Sequence, residues 1–330
     1  MALAPIDETH ALQIQAGTIG RKAGHAFEDE ITLRINSMEY PLPTSRPNGA
    51  KHVIVGDPAM TLLNYIGSSL GFKVISRAVA ISTGALATSE AGQKWLSING
   101  ANVRRCKSDI VITISDSHAS QTVGISTKQC SKKTPTNAQL FFTTARGFVK
   151  LLRDNGIAVS DAALSGLREF CGDAGFRPLD NAEILATRIV DPRRFFWEEI
   201  DADARDEWEV TLARHQEKIT RLLLQKAYID DPFIPDFITH KTKLANDWHT
   251  SEVALYSIDE LVKLSCKYQG FVRRPYRVNK GSYRDPQGVQ HLAPRFGIVQ
   301  MQRGGQAQHP EQLQFNLEAG YFYGLEKLSD

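Results

Sequence analysis

The sequence predicts a mixed α/β fold: a mixed central β-sheet flanked by helices, a helical insertion, and a β-rich, basic C-terminal region. Three observations carry this expectation. Near the start, Phe27, Ile31, Ile35 and Met38 recur at helical spacing on one stripe. Between Asp109 and Lys128, two β-branched runs flank a polar turn, which is a hairpin pattern. After Gly270 the texture changes to strands punctuated by glycine. Bulk composition agrees: 330 residues, 42% hydrophobic and 23% charged, suit a globular chain with a full core. Disordered, collagenous and disulfide-scaffold classes are excluded.

The elements follow in order. Gly20 to Met38 reads as a helix, with Glu28, Asp29, Glu30 and Arg34 off the apolar stripe. Glu39 to Lys51 holds Pro41, Pro43, Pro47 and Asn48-Gly49 and reads as loop. Pro58 to Gly71 is helical again, and Lys73 to Ile81 is strand-like. A short helix is expected from Ser89 to Trp95. The run from Asp109 to Ile114 is β-branched at nearly every position, Ser115 to Gln121 is the turn, and Thr122 to Lys128 alternates. Helices are expected over Asn137 to Asn155, Ser160 to Cys171, Asn181 to Ala186 and Pro192 to Tyr228. Pro232 and Pro235 end the last of these. A helix over Ser257 to Lys267 precedes strands at Phe271 to Val278, Phe296 to Gln302 and Gln312 to Leu317. The expected division is a core over 1–175, a helical acidic region over 176–256, and a basic DNA-contacting region over 257–330 with strands packing back on the core.

Several classes drop out. No internal repeat supports a solenoid. The first residues carry Asp7 and Glu8 and no apolar h-region, so no secretory signal is expected. No run is apolar enough for a membrane span. Cys106, Cys130, Cys171 and Cys266 form no CxxC, consistent with reduced thiols in the cytoplasm and with no zinc site. Phosphate-binding glycine loops, the GxSxG elbow and HExxH are all missing, and Asp116-Ser-His118 are sequence neighbours rather than a triad.

Chemistry concentrates on the hairpin. Antiparallel pairing lays the start of the first strand beside the end of the second, so Asp109 neighbours Ser126 and Lys128. These last two share a face, while Ile125 and Thr127 point the other way. A carboxylate there can hold a hard cation, normally Mg²⁺ with several waters. The lysine can orient or deprotonate an attacking water and offset a phosphate's developing charge. Together they suit phosphodiester hydrolysis.

Asp109, then Ser126-Thr-Lys128 after a hairpin, with Gly24-His-Ala-Phe27-Glu28 upstream, resembles the PD-(D/E)XK nuclease superfamily. The likeness covers roughly residues 20–150 and is nearest to type II restriction endonucleases. It implies a restriction-endonuclease-like core, in which an Asp and a (D/E)xK end adjacent strands and a helix Glu faces the metal. It further implies a Mg²⁺-dependent, sequence-specific endonuclease for double-stranded DNA, acting as a homodimer. A cognate DNA methyltransferase would be its genetic rather than physical partner. Carried over residue by residue, Asp109 and Glu28 hold the metal, Lys128 positions the water, and Ser126 completes the catalytic set. Two departures stand out. Ser108 precedes Asp109 in place of proline, and Ser126 replaces the second acid without its charge. Residues 129–153 contain no Asp or Glu to substitute, so Glu28 is the preferred source, with Glu30 and Asp116 in reserve. Bland alternatives remain open: a strand-end cap for Asp109, an edge-strand lysine for Lys128, and a first-turn acid for Glu28.

Overall charge is near balance, +2 from 39 basic and 37 acidic residues, yet it is unevenly spread. Between Lys263 and Pro310 the single acid is Asp285, among many basic residues interleaved with Tyr268, Phe271, Tyr276, Tyr283 and Phe296. Asp180 to Glu209 is acid-rich and reads as a solvated helical face pointing away from DNA. The expected DNA contacts are Arg273, Arg274, Arg277, Lys280, Arg284, Arg303 and Gln306. The last lies in a glutamine-rich segment that suits either base contact or a plain Gly-Gly turn. Rival readings are a structure-specific repair or junction nuclease on the same core, a catalytically inactive DNA-binding protein, and a metabolic enzyme for an anionic small substrate.

Overall fold

Apolar residues at helical spacing set the first helix, α1 (residues 26–37), which buries Phe27, Ile31 and Ile35. The computed structural model describes residues 26–44, 53–55, 57–83, 96–103, 106–130, 137–226, 231–242, 252–268, 270–280, 283–303 and 311–322. After α1 come β1 (Leu42–Pro43), β2 (Val53–Val55), α2 (Pro58–Ser69), β3 (Val74–Ile75), β4 (Arg77–Ser82), β5 (Leu96–Ile98) and β6 (Ala101–Val103). Next are β7 (Ile110–Ser115), β8 (Ser120–Cys130) and β9 (Ala138–Thr143). Helices α3 (Ala145–Asp154), α4 (Asp161–Cys171), α5 (Ala182–Thr187), α6 (Ala202–Arg214) and α7 (Gln216–Gln225) follow. The chain continues through β10 (Pro235–Thr242), β11 (Glu252–Ser257), α8 (Ile258–Cys266), β12 (Phe271–Tyr276), β13 (Asn279–Lys280) and β14 (Tyr283–Arg284). It closes with β15 (His291–Phe296), β16 (Val299–Arg303), β17 (Leu313–Leu317) and α9 (Ala319–Phe322).

The described residues fall into two units, neither a continuous stretch of chain: 26–138, 222–261 and 318–322 in one, 139–221 and 262–317 in the other. The first contains a six-stranded sheet in the order β2-β11-β10-β8-β7-β4. Its neighbours are antiparallel except β10, which runs parallel to β8, so the sheet is mixed. Helices α1 and α2 bury Ile31, Ile35, Leu62, Leu63 and Ile66 in a cluster with Ile112, Ile114, Ile125 and Phe237 from the strands. Each such side chain contributes roughly 1.5–3 kcal/mol on burial. Asp57 caps α2 by accepting from the Ala59 and Met60 N–H groups, with Pro58 at the first position. Asn36 fastens the end of α1 to the edge strand β4, donating to the Ala80 carbonyl at 2.9 Å and accepting from its N–H at 2.8 Å.

The expected hairpin is present, with Ile110 opposite Ile125 and Ser115 opposite Ser120. The strand at 73–81 and the helix from Pro58 are also present. The helix expected over Ser89 to Trp95 lies outside the described residues, as do Gly24 and Gln306. Three expectations are corrected. Residues 176–256 are not wholly helical: β10 and β11 lie there, and β10 is an interior strand of the six-stranded sheet. Its run Phe237-Ile-Thr-His is buried between two strands, so no exposed polar face marks it in sequence. The helix expected from Asn137 begins as β9, which joins the other sheet, and turns helical only after Thr144 caps Gly147 N–H. The long helix expected from Pro192 is instead a turn followed by irregular chain, then a short 3₁₀ turn at Trp197–Glu199, and helix starts only where Asp201 caps α6.

In the second unit, β12, β15, β16 and β17 pair antiparallel in sequence of order, and β9 lies beside β17. The C-terminal strands thus build their own five-stranded sheet rather than extending the six-stranded one. Phe148 of α3 stacks on Trp208 of α6 at 5.7 Å and meets Phe315 of β17 at 4.6 Å, forming the centre of that unit's core. No helix among the described residues is long and apolar enough to cross a membrane.

Candidate active site

The hairpin register delivers Asp109, just before β7, to the end of β8. The Asp109 N–H donates to the Ile125 carbonyl at 2.8 Å, fixing its backbone. Its Oδ2 accepts from the Thr127 N–H at 2.6 Å and the Ser126 hydroxyl at 3.2 Å, and Lys128 Nζ stands 3.9 Å away. Lys128 and Asp109 keep about a quarter of their side chains exposed, 23% and 26%, so both can be reached from solvent. Asp109, Ser126 and Lys128 therefore converge as the sequence spacing implied. A strand-end cap alone would need only the Thr127 N–H.

Glu28 arrives from α1. Its Oε1 accepts from the Thr127 hydroxyl at 2.6 Å, so it sits on the opposite face of β8 from Ser126 and Lys128. The resemblance implies a helix Glu that faces the metal; parity along the strand puts Glu28 on the Thr127 side of β8, the side that faces the helices. Glu28 is buried, not the exposed first-turn acid of the bland alternative, and its Oε2 has no hydrogen-bond partner. Burial, and next the Asp109 charge, push its carboxyl up to about 8, against the Thr127 hydroxyl and Lys128, which pull it down. The two reserve acids are set aside by geometry. Glu30 is held by Arg34 at 2.7 Å. Asp116 caps the hairpin turn by accepting from the His118 and Ala119 N–H groups, at the far end of the six-residue β7, about 20 Å from Asp109.

Sequence reasoning missed a second layer supplied by the 231–242 segment. Asp231 accepts from the Lys107 N–H at 2.7 Å, and Phe233 O accepts from the Ser108 hydroxyl at 2.6 Å. Ser108 thereby ties the start of β7 to the approach to β10. Asp236 Oδ2 accepts from the Gly124 N–H at 2.9 Å. Lys107 Nζ caps α7, donating to the carbonyls of Leu223 and Lys226, and burial together with Lys128 brings its ammonium down to about 7. His240 lies opposite Lys128 in the parallel register, and burial with that same charge lowers it to about 4. The only signal for this layer was the Pro-flanked, β-branched run after Pro235.

The candidate DNA-contacting residues divide. Arg273, Arg277 and Arg284 are exposed, Arg274 is half-buried, and Lys280 lies in β13. Arg273 also stands 3.6 Å from Glu209. Arg303 departs from the expectation: its side chain is 11% exposed and lies 3.9 Å from Asp191. Nor is the acidic stretch a plain solvated face. Glu198, Glu199 and Asp191 engage His291, Arg188 and Arg194 respectively.

Comparison with known proteins found no matching family model and no matching curated sequence. The donor set can be weighed on its own chemistry. Among the described residues no group of three or more His, Cys, Asp or Glu converges. Mg²⁺, however, binds through one or two carboxylates and keeps its waters. Asp109 offers one such carboxylate on the Ser126 and Lys128 face; Glu28, whose buried Oε2 has no hydrogen-bond partner, approaches from the Thr127 face.

Proposed function

We propose that this chain is a Mg²⁺-dependent endonuclease of the PD-(D/E)XK type that cuts double-stranded DNA at specific sequences, as restriction enzymes of type II do. The observation that carries the reading is the convergence of Asp109, Ser126 and Lys128 on adjacent strands, with the buried Glu28 carboxylate close enough to feel Asp109. A mixed sheet with helix α1 packed on it agrees with the restriction-endonuclease-like core.

Each residue then has a task. Thr127 N–H and the Ser126 hydroxyl hold Asp109 Oδ2 in one orientation, and the Thr127 hydroxyl does the same for Glu28. Mg²⁺ held by Asp109 and Glu28 would supply positive charge against the scissile phosphate. Lys128, 3.9 Å from Asp109, orients the attacking water and offsets charge that builds on the phosphate oxygens. Ser126 contributes a donor where a carboxylate would add charge, so Glu28 alone brings the site to two acids.

The test is incubation with unmethylated phage DNA, with and without Mg²⁺, beside Lys128→Ala. Discrete fragments that need Mg²⁺ and fall about 10²–10³-fold in rate with the variant are expected. Ser126 favours a second reading, a DNA-binding protein without catalysis. That reading stands if DNA is bound in a salt-sensitive way and never cut. Cutting confined to branched or damaged DNA would instead favour a repair or junction nuclease.

A further inference from the structure

Past β12 the chain leaves the edge of the five-stranded sheet and makes a separate two-stranded ribbon, with Asn279 opposite Arg284 and Lys280 opposite Tyr283. The root of this ribbon is fastened from inside. Asp285, its side chain 1% exposed, accepts from the Val278 N–H and meets His291 Nε2 at 2.9 Å. The Asp285 N–H returns to the Val278 carbonyl at 2.9 Å. His291 Nδ1 meets Glu198 Oε1 at 3.0 Å, and its ring lies flat on Phe196, 3.2 Å between centroids. Glu198 Oε2 accepts from the Leu292 N–H at 3.0 Å. The single acid between Lys263 and Pro310 is therefore turned inward and bridged, while Arg277, Arg284, Gln287 and Gln290 stay exposed.

We propose that this ribbon enters a groove of double-stranded DNA and reads base edges there, through Arg284 on β14 and Arg277 at its root, where Arg277 also donates to the Pro286 carbonyl at 3.1 Å, with Glu198, His291 and Asp285 as positioning residues. The inference rests on the nuclease reading and names its recognition element. Three physical arguments support it. A two-stranded ribbon fits the major groove, about 12 Å wide. Arginine reads guanine through two hydrogen bonds, and glutamine reads adenine. A root held by hydrogen bonds and a stacked ring leaves little disorder to be lost on binding. With Asp285 internalised, no carboxylate of this segment opposes the phosphates on either side.

The experiment first sequences the fragment ends that the wild-type protein makes from unmethylated phage DNA. Binding to a duplex carrying the mapped site, and to a scrambled duplex, is then measured across KCl concentrations in a Lys128→Ala background. Adding Arg277→Ala and Arg284→Ala is expected to lower the preference for the mapped site at least tenfold, and to reduce the salt slope by about 2. Glu198→Gln, which loosens the root without removing an arginine, is expected to lose preference while keeping the slope. A salt slope that falls with preference intact makes the arginines phosphate contacts and overturns base reading. Unchanged preference and slope overturn the ribbon while leaving the nuclease standing. If the wild-type protein neither cuts nor binds DNA, the nuclease reading falls and the ribbon with it.

Discussion

At Glu28, burial and charge are in open conflict. A carboxyl withdrawn from water and placed near Asp109 resists ionisation, and its value rises from an ordinary 4.5 to about 8. Folding therefore favours its protonated form. Below pH 4.5 both folded and unfolded chains hold the proton and nothing is lost. As pH rises from there to about 8, the unfolded chain ionises freely and the folded one does not, so stability drains away. Glu28→Gln removes the conflict while keeping a partner for the Thr127 hydroxyl. Its gain over wild type is expected to be absent near pH 4.5 and to reach ~1–3 kcal/mol at pH 8, read by urea denaturation without divalent ions. Equal gain at both pH values would mean that charge is not the cause. His240 has the opposite sign. Held neutral down to about 4, it costs stability as pH falls below its ordinary 6.5, so His240→Gln is expected to help only on the acid side. Difference measurements on the same chain separate the two.

The hairpin β7–β8 explains which parts of the site a sequence can disclose. Its strands are local, β-branched and joined by four residues, so pairing and register follow from the run itself and Asp109, Ser126 and Lys128 meet as expected. Strand β10 is different: it pairs with β8 from more than a hundred residues away, and nothing local to either run specifies that register. The face on which Glu28 lands was equally hidden, since it depends on how α1 is turned against the sheet. Two residues set that geometry and can be tested. Asn36 clasps the β4 backbone on both sides, so Asn36→Ala leaves the exchanged groups unpaired. A loss of about 1–3 kcal/mol is expected and, on the proposed nuclease reading, weaker Mg²⁺ dependence of cleavage, because α1 carries Glu28. Gly124 lies where a Cβ would collide with the Ser108 hydroxyl and sit 2.6 Å from the Ile234 carbonyl. Gly124→Ala must push β8 away from the approach to β10, and a loss above about 2 kcal/mol is expected in the same denaturation assay. A variant as stable as wild type would show that this close approach is not required.

For the molecule as a whole, the near balance of 39 basic and 37 acidic residues does not resolve into an acidic body and a basic arm. Glu209 stands by Arg273, Asp191 by Arg303, and Glu198 by His291, so much of the acid-rich stretch is spent inside the same unit as the basic one. Among the described residues of the basic region, Lys263, Lys267, Arg277 and Arg284 stay exposed, the last two at the ribbon. On the proposed nuclease reading, a narrow reader and a single catalytic set per chain bear on assembly. One set of Asp109, Ser126 and Lys128 addresses one phosphodiester, whereas a duplex presents two strands related by a twofold axis. A symmetric homodimer solves this by placing one set on each strand, with each ribbon on its half-site. Co-expression of wild-type and Lys128→Ala chains under different tags allows the mixed dimer to be purified. On supercoiled plasmid it is expected to yield open-circular DNA that persists, since only one strand meets a competent lysine. Wild-type dimers would carry the same substrate through to linear product. If no mixed species can be isolated, or if mixtures only slow linear product in proportion to the wild-type share, each chain cuts both strands alone and the dimer reading is wrong.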